Sequence, residues 1–169
     1  PHANLSAVPL YYLSSLAAKD VKVVLSSEGA DELFGGYDWY IQSAPSKIYQ
    51  KLPLSARKCL AKVFGKFPQR HIRAFFKSNA KTVEDTYIGQ AFIMNDEQAD
   101  IITNDKYKSN LTYKDVTAPY YKKVKDCDDL TKKMYLDMNL WLPYDILLKA
   151  DKMTMAHSLE ARVPYLDRE

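Results

Sequence analysis

The chain has 169 residues, of which 47% are hydrophobic and 27% charged, with only five glycines and a formal charge of +3. That composition suits one folded domain with its own core and excludes a disordered or low-complexity segment. No apolar run approaches the roughly 20 residues of a membrane span, and no signal peptide opens the chain, so no membrane partner is expected. Cys59 and Cys127 lie far apart, outside any metal-ligand spacing, and read as reduced thiols of a cytoplasmic protein. His2, His71 and His157 form no zinc spacing. The chain begins without Met and ends at Arg168-Glu169, which reads as a fragment of a longer polypeptide.

In chain order, Ser6 is placed to cap a helix that starts near Val8-Pro9. Leu10, Leu13, Leu16 and Ala17 repeat along it at helical spacing to about Lys19. Val21, Val23, Val24 and Leu25 then form a short β-branched run, a predicted strand over 21–26 patterned for burial on both faces. One strand makes no sheet, so its neighbours are expected in other sequence or another chain. Small residues, Ser26-Ser27, follow. Glu28, Asp31 and Glu32 come next at i, i+3, i+4, which places three carboxylates on one face of a helical turn. Gly35-Gly36 ends that turn, with Tyr37 just beyond. Ligands of open α/β sheets sit at the carboxyl ends of strands, so the site is expected here. Three clustered carboxylates repel one another, and a hard cation such as Mg²⁺ would relieve that repulsion.

After Tyr37 the chain reads as helical throughout. Asp38–Ala44 is expected to be a short aromatic turn ending at Pro45. From 46 to 83 there are ten Lys or Arg and no Asp or Glu, against 14 basic and 21 acidic residues elsewhere. Leu60, Val63, Phe64 and Phe67 make an apolar stripe there. A basic amphipathic helix suits an anionic partner, and the plainer reading is a solvated face of a peripheral helical layer. Nucleic acid is not expected, because no stacking aromatics interleave with the charges. Thr82 is expected to cap a helix through about Phe92, and Asn95 another from Asp96 to about Ile102. The 103–112 stretch is polar and reads as loop, and 114–125 as a helix broken near Pro119. Asp128 caps a strong helix with Leu130, Met134, Met138 and Trp141 inward. In the helix begun by Leu142-Pro143, Asp145, Lys149 and Lys152 share one face, while Ile146, Ala150 and Met153 share another. Glu160 and Arg162 pair locally beside Val163-Pro164.

Two stretches carry a family resemblance. SSEGADELFGGY, from Ser26, resembles the SGEGADE-FGGY motif of the asparagine synthetase family. Leu142–Asp167, LPYDILLKADKMTMAHSLEARVPYLD, resembles that family's LPDD-L-K-DRMSMA-SLE-RVPFLD segment. Ser27 departs from the motif, which has Gly there. The resemblance implies an α/β fold of the adenine-nucleotide α-hydrolase type, a parallel sheet with helices, of which this fragment is mainly α-helical with one strand. It implies a partial synthetase domain over 1–169, with the pyrophosphate-binding SGG-DS loop, the glutaminase half and a late lysine lying outside it. The implied activity is an ATP-dependent amide ligase. Such an enzyme adenylates the aspartate carboxylate, then transfers ammonia from glutamine to give asparagine, AMP and pyrophosphate. ATP and Mg²⁺ are the implied cofactors, aspartate and glutamine-derived ammonia the substrates, and the glutaminase domain the partner. By motif position, Ser26, Ser27, Glu28 and Gly29 meet the nucleotide, Asp31 holds Mg²⁺, and Glu28 assists amine attack with Tyr37, Asp145 and Lys152 around it. Two alternatives stay open. One is another amide ligase of the same fold, β-lactam synthetase-like or from a capsule locus. The other is a non-catalytic helical module that binds through 46–83. The unpaired strand implies self-association, as in a homo-oligomer.

Overall fold

The computed structural model describes residues 4–90, 94 and 96–167. In chain order its elements are helix α1 (Ala7–Ala17), strand β1 (Val23–Leu25), α2 (Ala30–Phe34), α3 (Ala44–Tyr49), α4 (Leu54–Phe64), α5 (Arg70–Asn79) and α6 (Val83–Thr86). There follow α7 (Asp96–Ile102), α8 (Tyr113–Lys123), α9 (Asp129–Asn139), α10 (Leu148–Met155) and strand β2 (Glu160–Arg162). The chain is mainly helical, as expected.

The two ends of the chain build one region together. β1 pairs in parallel with β2, Val23 opposite Glu160, Val24 opposite Ala161 and Leu25 opposite Arg162. This corrects the expectation that every neighbour of β1 lies elsewhere. The partner strand escaped notice because EAR lacks β-branched residues; its pairing comes from the tertiary fold rather than from propensity. The Glu160–Arg162 pair forms as expected, at 2.8 Å, but along a strand. β1 itself is not sandwiched: Val23 is 44% and Leu25 75% exposed. Helix α1 packs against α10, where the buried positions are Ala7 and Ser14 on one and Lys149, Ala150 and Thr154 on the other. The expected stripe of α1 is split: Leu13 and Leu16 are exposed, whereas Leu10 and Ala17 are half-buried.

The middle of the chain builds a second region. Val83 of α6, Tyr121 of α8 and Leu136 of α9 form a closed core, with Tyr87, Tyr120 and Leu140 packed against it. Asp128 caps α9 by accepting from the N–H groups of Leu130 and Thr131, as its position requires. Of the inward stripe expected of α9, Met134, Met138 and Trp141 are half-buried and Leu130 is 43% exposed, while Leu136 and Asp137 are its fully buried residues. The stripe meets α2 instead, with Met134 and Leu130 against Gly35. Pro119 does not break α8, which runs on through it behind a Thr112–Asp115 capping box. Pro119 is the seventh residue of α8, where it removes one backbone bond, and buried Tyr121 anchors the turn that follows. Pro45 likewise starts α3 instead of ending a turn, because its fixed φ suits a first helical turn. Helix α6 stops at Thr86, well short of the expected end, and Gly89 turns the chain at φ 93°. Phe92 and the Asn95 cap lie outside the described residues, whereas the helix over Asp96–Ile102 is present.

Helices α3–α5 form a satellite layer around aromatic rings. Phe64 stacks on Phe76 at 4.5 Å, and Tyr49 meets Phe75 and Phe76 edge-on at 5.4 Å. Nine of its ten basic residues are exposed, as a solvated face requires, and half-buried Arg57 donates to the Asn79 carbonyl at 3.0 Å. Among the described residues no helix is long and apolar enough to cross a membrane.

Candidate functional site

The site begins where β1 ends. The Ser26 N–H extends the parallel ladder by donating to the Arg162 carbonyl at 2.8 Å. That N–H is therefore unavailable to a nucleotide. Ser27 keeps a negative φ, since Ser158 is the one described non-glycine residue with a positive value. The backbone at position 27 therefore tolerates serine. Gly29 is different. It caps α2 at φ 91°, and a Cβ there would lie 2.6 Å from Leu166 Cδ2. Only glycine permits both the left-handed backbone and the close approach of the two motifs. Leu25, Arg162, Pro164 and Leu166 line an open pocket of about 430 Å³ at this end of the strands.

The three carboxylates do not converge. Glu28 precedes α2 and lies 3.9 Å from the Lys149 ammonium. Glu32 is 1% exposed and accepts a 2.7 Å hydrogen bond from the Tyr37 hydroxyl. Asp31 is exposed, its carboxylate crowded against Gly36. Among the described residues no group of three or more His, Cys, Asp or Glu is arranged to hold a metal ion. The expected shared face is corrected because Gly29 takes a left-handed conformation, so Glu28 lies outside the helical turn. One exposed carboxylate remains, a donor set that fits Mg²⁺ held chiefly by phosphate oxygens and water.

Burial raises the Glu28 pKa, Lys149 lowers it, and Glu32 and Asp31 raise it; the net direction is upward. Burial, then the hydrogen bond to Glu32, pushes the Tyr37 hydroxyl far above its ordinary value, so it donates as a neutral phenol. Its ring stacks on Trp39 at 4.5 Å. Tyr37 thus orients Glu32 rather than Glu28.

The second motif reaches the same place through a distortion. Residues Leu142–Leu147 form a π-helical turn before α10, which displaces Asp145 relative to the faces an α-helix would give. Among the described residues Asp145 and Lys149 make no ion pair. Asn4 donates to Asp145 at 2.5 Å, while Lys149 donates to the Ser6 hydroxyl at 3.1 Å. Ser6 in turn donates to Asn4 at 2.7 Å. Lys152 is exposed, and among the described residues no hydrogen bond or ion pair joins it to Glu28. Of the residues singled out in the sequence, Ser26, Ser27, Glu28 and Gly29 lie together after β1, Asp31 is exposed on the turn that follows, Tyr37 bonds Glu32, side chains connect Asp145 to Glu28, and Lys152 stays outside. Sequence reasoning missed Asn4 and Ser6 as members of the site, grouped Glu32 with the other two carboxylates, and set Lys149 only on the face it shares with Asp145 and Lys152. For Lys149 a signal existed: it occupies the i+3 position of the buried Ile146–Ala150 stripe, where a lysine is out of place.

The sequence model of the asparagine synthase family matches residues 1–169. The chain is 40% identical over 169 residues to glutamine-hydrolysing asparagine synthetase 1 of Bacillus subtilis, covering 99% of this chain and 27% of that relative. It is 39% identical over 170 residues to a protein of Mycobacterium tuberculosis provisionally named for the same activity, covering 100% of this chain and 26% of the relative. The chain spans about a quarter of the length of the curated relatives it matches. No solved structure matches the chain.

Proposed function

The chain belongs to the asparagine synthase family, and from that premise we propose that it forms the motif-bearing part of an ATP-dependent amide ligase. The observation that carries the proposal is the pairing of Glu28 with Lys149 at the carboxyl end of β1, where the two family motifs meet and where α/β sheets bind ligands. The names of the relatives support aspartate as the carboxylate and glutamine as the nitrogen source. They equally support a glutaminase domain as the partner in the longer polypeptide.

In the first step a carboxylate oxygen of aspartate attacks the α-phosphorus of ATP. The bond to pyrophosphate breaks and an acyl-adenylate forms. Two anions must approach each other, so cations are needed around them. Mg²⁺ bound to the phosphates and to Asp31 would supply that neutralisation. The Ser26 carbonyl and the Ser27–Gly29 backbone border the nucleotide. In the second step ammonia attacks the acyl carbon, the bond to AMP breaks, and nitrogen loses a proton. Glu28 accepts it. A carboxylate raised by burial is a better base than an exposed one, and the Lys149 cation keeps the raised group available in its charged form. Tyr37 and Glu32 hold the turn below. Asp145 stands at the far end of the side-chain connection from Glu28.

Labelled aspartate tests the chemistry. With ¹⁸O in its side-chain carboxylate, the full-length enzyme is expected to place one label in AMP. Label in inorganic phosphate, with ADP as the other product, would contradict adenylation.

A further inference from the structure

Asp129 and Lys133 stand one turn apart on α9, acid before base, the order in which such a couple normally pairs along a helix. Among the described residues no ion pair joins them. The Asp129 carboxylate instead accepts from the Gln42 side-chain amide at 3.2 Å. The Lys133 ammonium donates to the Trp39 carbonyl at 3.0 Å and lies 5.4 Å from the centre of the Tyr87 ring. Neighbouring Lys132 does find a carboxylate, that of Glu84 at 2.7 Å. Lys133 is half-buried all the same, and burial lowers its pKa against the opposing pull of Asp129 and Asp137. An ammonium partly withdrawn from water is thus left with no carboxylate in contact, an arrangement that favours an incoming anion.

Both charges line one cavity of about 310 Å³, where α3 and the end of α5 meet α6 and α9. That volume is at the lower end of those that hold small ligands. Other polar groups in its wall are only partly used among the described residues. The Ser46 hydroxyl accepts from Ser43 and from Asn79, which leaves its own proton to give. Gln42 and Gln50 bond Asp129 and Asn79 through their amide nitrogens, which leaves both carbonyl oxygens to accept. None of these residues belongs to the site at the end of β1.

We propose that this cavity binds a free α-amino acid with a side-chain amide, its carboxylate on Lys133 and its ammonium on Asp129. One zwitterion then supplies both partners of a couple that the fold holds apart. A phosphate-bearing ligand would bring excess negative charge against Asp129, and a simple cation would meet Lys133. The ligand's side-chain amide accepts the Ser46 proton and donates to the Gln42 and Gln50 carbonyls. A carboxylate arriving at Lys133 competes with the Trp39 carbonyl, and the Trp39 ring stacks on Tyr37 at 4.5 Å. Binding therefore changes the surroundings of Trp39, which makes its fluorescence a reporter of this cavity.

The experiment uses the full-length protein and L-asparagine as the probe. Equilibrium dialysis against the labelled amino acid counts bound equivalents, and tryptophan emission follows the same titration. One equivalent is expected that Lys133→Met and Asp129→Asn each weaken about 10- to 100-fold, the effect of losing a hydrogen bond to a charged group. Equivalents that neither variant weakens belong to other sites. Trp39→Phe is expected to keep the sensitive equivalent and to lose the emission change. The methyl ester of L-asparagine lacks the anion, N-acetyl-L-asparagine lacks the cation, and the similarly shaped L-leucine lacks the amide. None of the three is expected to produce the emission change in the wild type. If a variant loses its melting transition, these wild-type titrations decide. Asparagine binding that is indifferent to both variants would overturn the proposal. So would an emission change produced by the ester, the acetyl derivative or leucine, or one that survives Trp39→Phe.

Discussion

Leu136 in α9 is fully buried and Leu25 in β1 is 75% exposed, although each lies in a stretch written with apolar residues. The α6–α8–α9 region closes a core of its own around Val83, Tyr121 and Leu136. At its side Asp137, also fully buried, accepts hydrogen bonds from the hydroxyls of Tyr40 and Tyr87 and from the Gln90 N–H. The α1–β1–β2–α10 region instead leaves Val8, Leu13, Leu16, Val23 and Leu25 open, and its buried centre is mixed, with polar Ser14, Lys149 and Thr154 beside Ala150 and Leu159. The contrast separates two tasks. The helical region supplies folding free energy and a fixed support for Tyr37 through the neighbouring Tyr40, whose ring meets it at 5.5 Å. The strand region carries the two family motifs and, on the proposed reading, the chemistry, and it presents an apolar strand surface suited to further pairing.

Substitutions can break or sharpen that contrast. Leu136→Ala is expected to have the largest effect, about 2–5 kcal/mol of lost stability, because a fully buried leucine leaves a cavity. Denaturant unfolding of the chain measures it, and a cost below that of an exposed leucine would dissolve the contrast. Asp137→Ala leaves the Tyr40 and Tyr87 hydroxyls without their acceptor and is expected to cost about 1–3 kcal/mol; an unshifted urea midpoint would show that the cluster does not hold the region.

Glu84→Gln gives a smaller effect with a pH dependence. Burial alone would raise the Glu84 carboxyl, but hydrogen bonds from Lys132 and Thr82 hold it below its ordinary range. A depressed folded pKa contributes stability above the unfolded value and loses it as pH falls through the folded one. Wild type should therefore exceed the variant by about 0.5–1 kcal/mol near pH 7. The gap should close as pH falls below the usual carboxylate range. A gap that widens in acid would reverse the sign of the Lys132 contact. Leu25→Ala should cost least, under about 0.5 kcal/mol as at other exposed positions, and a core-sized loss would mean that β1 is covered.

Much of this was legible in the sequence where a local rule governed. The Asp128 cap, the Gly35 terminus of α2 and the apolar run of β1 each follow from residue type and spacing. Features that depend on distant partners were not legible. β2 is a strand because β1 lies beside it, since nothing in Glu160–Arg162 favours extension. The three carboxylates read as one helical face until Gly29 turned left-handed to clear Leu166. Tyr37 was expected to serve Glu28, but its hydroxyl reaches Glu32, five residues back. Ser6 looked like a helix cap, and only the approach of α10 shows what its hydroxyl does.

The most direct test replaces Glu28 with glutamine in the full-length protein and follows asparagine formation together with the melting temperature. The expected result is a loss of about 10²–10⁴ in amide-forming rate, the contribution of a positioned acid or base, with the melting temperature unchanged. Wild-type turnover in the Glu28→Gln protein, or a collapse of its melting temperature, would contradict the placement of the chemistry at the end of β1.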